Sequence, residues 1–528
     1  MANPELNRIR ETKGKIVAKL FSLDEGNSTL APDALTVAAL LYIALPTLIF
    51  LGGWLRPWAA IPMVVLTLLS LAQFIRRDDV RWTAPYSYGA TALIIIVAFT
   101  WASLGGAGHF FNANPDWLIR DKVLGDLTFT DWPPAYSVVD GKPHILRTAF
   151  GFFLPAALVG KLFGIASVDL ALYAYAAIGC SLFLLLLPMP KKFGTILVVS
   201  LLVTIFFCGM DYLGIVLITG TTPLVPLRLS WWVPFSYSSL TGSMFWAPNH
   251  AIPIWLVSAL FYRHWGHRVW PALFMVMLPL TVIWTPFAAA AIAPFLALAT
   301  WRWFAQGNRF SDSQITRWQT IAAIALCWLT LRFITLDFAT VSAMKLASSA
   351  GPEPDNPGIV LQYLLFVLMQ FVILALLLRR GLQHSQGLFA LACVVLSLLP
   401  FVQFGPSNDI VLRHSVPCVI VLLIATLAQL QDWLNARQVP LRGYAVAIVI
   451  LIGAATPFNE IWRAFFFKRT MPDYGRSLLE QHWNTEAPHY VGVLDRSDLA
   501  SVLRAPTLVP NSEQRRAYGL VATPPRSR

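Results

Sequence analysis

In the stretch NANPDWLIRDK (112–122), Asp116 and Arg120 stand four residues apart, just after an apolar run. On a helix that spacing puts both on one face. A carboxylate there can take a proton from a hydroxyl, and a guanidinium can hold a phosphate through paired N–H groups. Asn114 fits a helix N-cap and Pro115 the first helical position, which places Asp116 in the first turn, among free backbone N–H groups and the positive end of the helix dipole. Taken alone, the plainer reading is a capped surface helix with a solvated ion pair.

Further polar and aromatic groups give that pair possible company. DWPPAY (131–136) interrupts any helix with two prolines and presents Trp132 and Tyr136, after which Lys142, His144 and Arg147 lead back into apolar sequence. Aromatic and basic groups at a membrane surface suit a lipid-phosphate headgroup, and equally plain interfacial anchoring of Arg147. In CGMDYLG, Asp211 falls inside an apolar run, where a carboxylate is costly unless it faces protein or a water-filled cavity. Residues 228–255 carry Arg228, Trp231, Trp232, Tyr237, Trp246, Asn249 and His250. The aromatics fit an interface belt, while Asn249 and His250 can also hydrogen-bond a polar ligand. PSNDIVLRHSVP (406–417) adds Asp409, Arg413 and His414, with Asp409 and Arg413 spaced for a local ion pair.

The elements that must position these groups are membrane helices. Of 528 residues, 57% are hydrophobic and 12% charged, and apolar runs long enough to cross a hydrocarbon core about 30 Å thick recur along the chain. Thirteen spans are expected, at 34–55, 58–75, 86–105, 168–188, 194–217, 247–262, 269–284, 286–301, 319–336, 359–378, 387–404, 414–433 and 443–457. With residues 1–33 in the cytoplasm, the inner segments hold nineteen Lys and Arg and the outer loops nine, as the positive-inside rule requires. The formal charge of +12 therefore needs no nucleic-acid partner. The polar first 33 residues carry no cleavable signal peptide pattern, so the first span is expected to direct insertion. Residues 148–164 are expected to lie on the outer face, because counting them as a span would invert every later loop. Residues 458–528 are expected to form a small periplasmic tail with a short strand and helix, although its ten basic residues run against the charge rule. The five cysteines show neither metal-ligand nor disulfide spacing.

This layout resembles the GT-C superfamily of integral-membrane glycosyltransferases. The resemblance rests on an acid in the first large outer loop (Asp116), a proline-bearing stretch (WPP), a membrane-lying run LPAALVGKLFG, a span ending at PKK, and a second acid near the outer end of a later span (Asp211). It covers residues 86–260, and two spans precede the acidic loop where the commonest family plan has one. The resemblance implies an all-α polytopic domain over 34–457, with an outer acidic loop at 106–147. It also implies transfer of a sugar from a polyprenyl-phosphate donor to a periplasmic glycan, lipid or protein acceptor at the bacterial inner membrane. On that reading Asp116 is the general base and Asp211 a second acid. Arg120, Arg147 and Arg413 are phosphate ligands, and Trp132, Tyr136, Trp246, Asn249, His250 and Asp409 contact substrate. No cofactor is implied with certainty; a divalent metal on Asp116 and Asp211 is an open alternative.

Two other readings use the same groups. A flippase for a lipid-linked saccharide should carry charges through the depth of the bundle, whereas here the spans are nearly free of charge apart from Arg332 and Asp211. An O-antigen ligase or polymerase should carry its large polar loop late, whereas here it comes early.

Overall fold

A computed structural model of the protein describes residues 31–82, 85–139, 141–220, 235–339, 358–378, 386–402, 408–482 and 490–517. Arg228, Trp231 and Trp232 lie outside the described residues. Seven helices are long and apolar enough to cross a membrane: Ala34–Trp54, Pro57–Ile75, Ile165–Leu186, Phe287–Ala305, Ile359–Leu378, Asp409–Asn435 and Leu441–Phe466. Shorter apolar helices pack among them, including Tyr88–Leu104, Thr195–Ile205, Trp270–Thr281 and Gln386–Phe401. The protein is thus a predominantly helical, membrane-embedded bundle.

Several expected spans are short for local reasons. The run expected to cross at 194–217 is helical over Thr195–Ile205, breaks, and resumes at Asp211–Thr219. The backbone freed at the break is satisfied from outside the run, since Met210 N–H donates to the Met369 carbonyl at 3.2 Å. Facing the break, Leu368–Val372 forms a π-helical turn inside Ile359–Leu378. The segment expected to lie on the surface contains only Gly151–Phe163 as helix, about 20 Å of rise, too little to cross. At its start, Gly151 sits against the backbone of Trp284, where a Cβ would come within 2.9 Å of that backbone. Only glycine permits so close a pass.

Aromatic stacking ties this segment to the bundle. Trp54 lies 5.0 Å from Phe150 and 4.9 Å from Trp132, both stacked, and Tyr42, Tyr175 and Trp284 form a second stacked set. Phe50 packs tilted against Trp54, and Phe333 closes the first group edge-on against Phe50 and Phe150. Such rings contribute both a large apolar area and a preferred geometry.

The long first loop and the C-terminal segment form one unit. β1 (Pro134–Val139) and β2 (Lys142–Leu146) make an antiparallel hairpin that turns at Gly141. β3 (Val491–Val493) adds antiparallel to β2, and β4 (Thr507–Leu508) adds parallel to β1, giving the order β3-β2-β1-β4. The tail thereby covers both edges of the hairpin, which would otherwise present unpaired backbone groups. Arg515, fully buried, reaches from the tail into this unit. It pairs with the Asp126 carboxylate and donates to the carbonyls of Tyr474 at 2.8 Å and Arg476 at 3.0 Å.

The unit sits at one end of the bundle. There Arg56 Nε donates to the Leu503 carbonyl at 2.8 Å, and Arg332 pairs with Asp498 at 2.6 Å. Arg56 and Arg332 thus mark that end of their helices, and the buried pair Asp33–Arg263 marks the opposite end.

Candidate functional site

The helix carrying the first acid begins two residues later than its sequence suggests. It runs Trp117–Phe129 with Asp116 at the N-cap. Asn114 still acts as a cap of the turn before it, its Oδ1 accepting the Asp116 N–H at 3.0 Å. Asp116 is half-exposed, at 48% of its side chain, and its Oδ2 accepts from Arg120 Nη2 at 3.1 Å. The same Nη2 donates to the Trp246 carbonyl at the end of helix Leu240–Trp246. Arg120 therefore fixes the loop acid against the segment that carries Asn249 and His250.

Arg413 lies near this guanidinium. Burial lowers the Arg120 pKa; the Asp116 carboxylate and the Tyr490 hydroxyl act against that, and the Arg413 charge adds to it. Arg413 pairs with Asp409 at 3.3 Å. Among the described residues, Arg120 Nη1 and Arg413 Nε are buried with no hydrogen-bond partner. Two neighbouring guanidiniums with unused donors suit an oxyanion that neither Asp116 nor Asp409 supplies.

The remaining residues of this cluster meet through short contacts. His250 Nδ1 lies 2.7 Å from Thr285 Oγ1, and its ring meets Phe287 edge-on, whose other neighbour is the His414 ring. Asn249 Nδ2 reaches the Ala149 carbonyl at 3.5 Å. Arg147 is buried; its backbone N–H donates to the Tyr490 carbonyl at 2.7 Å and its Nη1 to the Ile334 carbonyl at 3.3 Å. Tyr490 thus stands between Arg147 and Arg120. Burial lowers the Arg147 pKa, and Asp337 partly offsets this.

Comparison of the chain with protein-family models, with curated proteins and with solved structures found no match. The functional reading therefore rests on the residues themselves.

Three expected site residues stand apart from this cluster. Trp132 stacks on Trp54, and its indole N–H donates to the Leu127 carbonyl at 2.7 Å. Tyr136 donates to Asp126 at 2.8 Å, next to Arg515. Both are thus held by contacts within the loop–tail unit and the helix beside it. Asp211, also buried, accepts from Gln370 and, at 3.2 Å, from the Cys208 thiol, with Thr456 at 3.5 Å. Among the described residues no hydrogen bond or ion pair joins Asp211 to Asp116. Among the described residues no group of three or more metal-ligating side chains is gathered.

The sequence did not single out Glu460 and Arg463. The helical segment Ala455–Phe466 continues the last long helix past its expected end at 457. Its buried face carries Thr456 toward Asp211 and Glu460 toward the Trp246 indole, which donates at 3.0 Å. Arg463 pairs with Glu460 at 3.3 Å and covers the Trp246 ring at 5.2 Å. The signal was present as charges spaced three apart on one face of an otherwise aromatic helix.

A second polar cluster, also unforeseen, holds the helix Trp117–Phe129 through Asp121. His109 is buried between Asp121 at 3.3 Å and Asp169 at 3.2 Å, and Tyr474 donates to Asp169 at 2.6 Å. Burial opposes protonation, but the two carboxylates outweigh it and push the His109 pKa up to about 9. Next to it, buried Lys122 holds Asp473 of the tail.

Proposed function

We propose that the protein is an integral-membrane glycosyltransferase that moves a sugar from a polyprenyl-phosphate donor to an acceptor hydroxyl on the periplasmic face. The observation that carries this reading is the half-exposed Asp116 carboxylate held by Arg120, with a second guanidinium, Arg413, close by and donors left over on both arginines. In this reaction the acceptor oxygen attacks the anomeric carbon, its proton passes to Asp116, and the bond from the sugar to the phosphate breaks. The departing lipid phosphate gains negative charge where Arg120 and Arg413 can receive it. Trp246 holds Arg120 and Asp409 holds Arg413, and on this reading Asn249 and His250, just beyond Trp246, contact substrate. Asp211 is a positioning residue that holds a broken helix, rather than a second acid at the reacting atoms. The wider reading comprises thirteen spans, a GT-C-like arrangement in the bacterial inner membrane, and the loop–tail unit in the periplasm. It is supported by the one-sided basic charge and by the gathering of the loop, the tail and the cluster at one end of the bundle.

The test is transfer of radiolabelled sugar from a panel of polyprenyl-phosphate sugars into membrane extracts containing wild-type protein or Asp116→Asn at matched expression. The productive donor names the sugar. Failure of every donor with wild type, in extracts that retain acceptor, contradicts the reading.

A further inference from the structure

At the end of the bundle away from Asp116, two cavities share a wall. The larger, about 500 Å³, is an apolar groove between the helices Trp270–Thr281, Phe287–Ala305 and Arg317–Ile334, with Phe274, Phe304 and Ile324 among its lining. Its volume is that of an ordinary ligand pocket, which runs about 300–1,000 Å³. The smaller, about 160 Å³, is lined by Arg268, Arg302, Gln306 and Asn308. Trp270 and Trp303 border both. A cationic chamber thus opens beside an apolar one.

The chamber has no acidic residue in its lining. Arg302 is only 7% exposed and lies 4.7 Å from the Trp265 ring centroid, and among the described residues no carboxylate forms an ion pair with it. A buried cation without a counter-charge is costly, and an anion in the adjoining cavity would relieve that cost. The place is also distinct from the cluster around Asp116. Helix Pro248–His264 carries Asn249 and His250 at its start and leads into Trp265 at its finish, a separation of about 25 Å over 17 residues.

We infer that this end binds an anionic glycerophospholipid, with its phosphate at Arg302 and Arg268 and one acyl chain in the groove. Charge selects the headgroup: two arginines and no acid favour a lipid with net negative charge over a zwitterionic one. The groove selects a lipid over free phosphate, because a soluble anion leaves the apolar wall uncovered. This site is independent of the transfer reaction proposed above.

The experiment is native mass spectrometry of delipidated full-length protein in neutral detergent, titrated with phosphatidylglycerol, with phosphatidylcholine of the same chains, and with glycerol 3-phosphate. Phosphatidylglycerol is expected to bind about tenfold or more tightly than phosphatidylcholine, with no retention of glycerol 3-phosphate. Arg302→Gln should bring the two lipids within about twofold, and Arg268→Gln, at an exposed position, should cut the preference in a protein whose fold is undisturbed. Ile324→Trp, which fills the groove from an exposed position, should weaken both lipids. Equal binding of the two lipids by wild type, or an undiminished preference in both arginine variants, overturns the inference.

Discussion

Arg120 donates from one nitrogen to both the Asp116 carboxylate and the Trp246 carbonyl. A loop acid is thereby locked to the start of a segment more than a hundred residues away in sequence. Replacing the arginine should free Asp116 at modest cost to the fold: the ion pair, with Asp116 half-exposed, contributes only about 0–1 kcal/mol, and the Trp246 carbonyl loses one donor, worth about 1 kcal/mol. Arg120→Lys keeps the charge but loses the planar fork, in which one nitrogen holds both acceptors and the other, Nη1, is left for a phosphate. Its transfer rate is expected to fall about 100-fold or more, with thermal unfolding in detergent close to wild type.

Arg413 tests the phosphate half of the site. Arg413→Gln removes a cation that lies near Arg120 but makes no contact with Asp116 in the structure. The expected loss is in donor use, about 10–100-fold in kcat/KM for the lipid-phosphate sugar, with little change in KM for the acceptor. Steady-state kinetics with each substrate varied in turn separate the two.

The tail is held by a buried pair. Replacing Arg515 with Ala leaves Asp126 charged and enclosed, which should cost about 3–5 kcal/mol. The loop–tail unit is expected to become sensitive to limited proteolysis at concentrations that spare wild type. If the variant resists cleavage as wild type does, Arg515 does not fasten the tail.

His109 gives the same unit a dependence on pH. Its pKa is raised to about 9 from an ordinary 6.5. The stability it contributes is therefore complete below about pH 6.5 and is lost as pH rises through about 9. Thermal stability of the wild type should fall between pH 7 and 10 by more than that of His109→Gln, measured in the same detergent.

Trp132 separates packing from binding. Trp132→Ala is expected to destabilise the protein by about 3–5 kcal/mol through lost stacking on Trp54. The folded fraction should keep its KM for donor and acceptor. A rise in KM without a stability change would return Trp132 to the substrate.

The membrane class was legible because apolar runs of spanning length are a direct consequence of bilayer thickness. The Asp116–Arg120 pair was legible because spacing on a helix is local. The joining of loop and tail was not: strands of two to six residues separated by more than three hundred positions carry no periodic signal of their own. For Trp132 and Tyr136 the structure supplies contacts within the protein that the sequence did not indicate, because an aromatic beside prolines reads alike whether it packs or binds. Asp211 was visible as an anomaly, but its partners, Gln370 in a π-helical turn and Thr456 at the end of the last expected span, depend on where two other helices bend.

The central claim is that Asp116, and not Asp211, works at the reacting atoms. The most direct measurement is single-turnover sugar transfer by purified Asp116→Asn and Asp211→Asn with saturating donor. Asp116→Asn is predicted to slow the chemical step about 100-fold or more while still binding donor, and Asp211→Asn to stay within about tenfold of wild type. An Asp116→Asn enzyme that turns over at the wild-type rate would contradict the account.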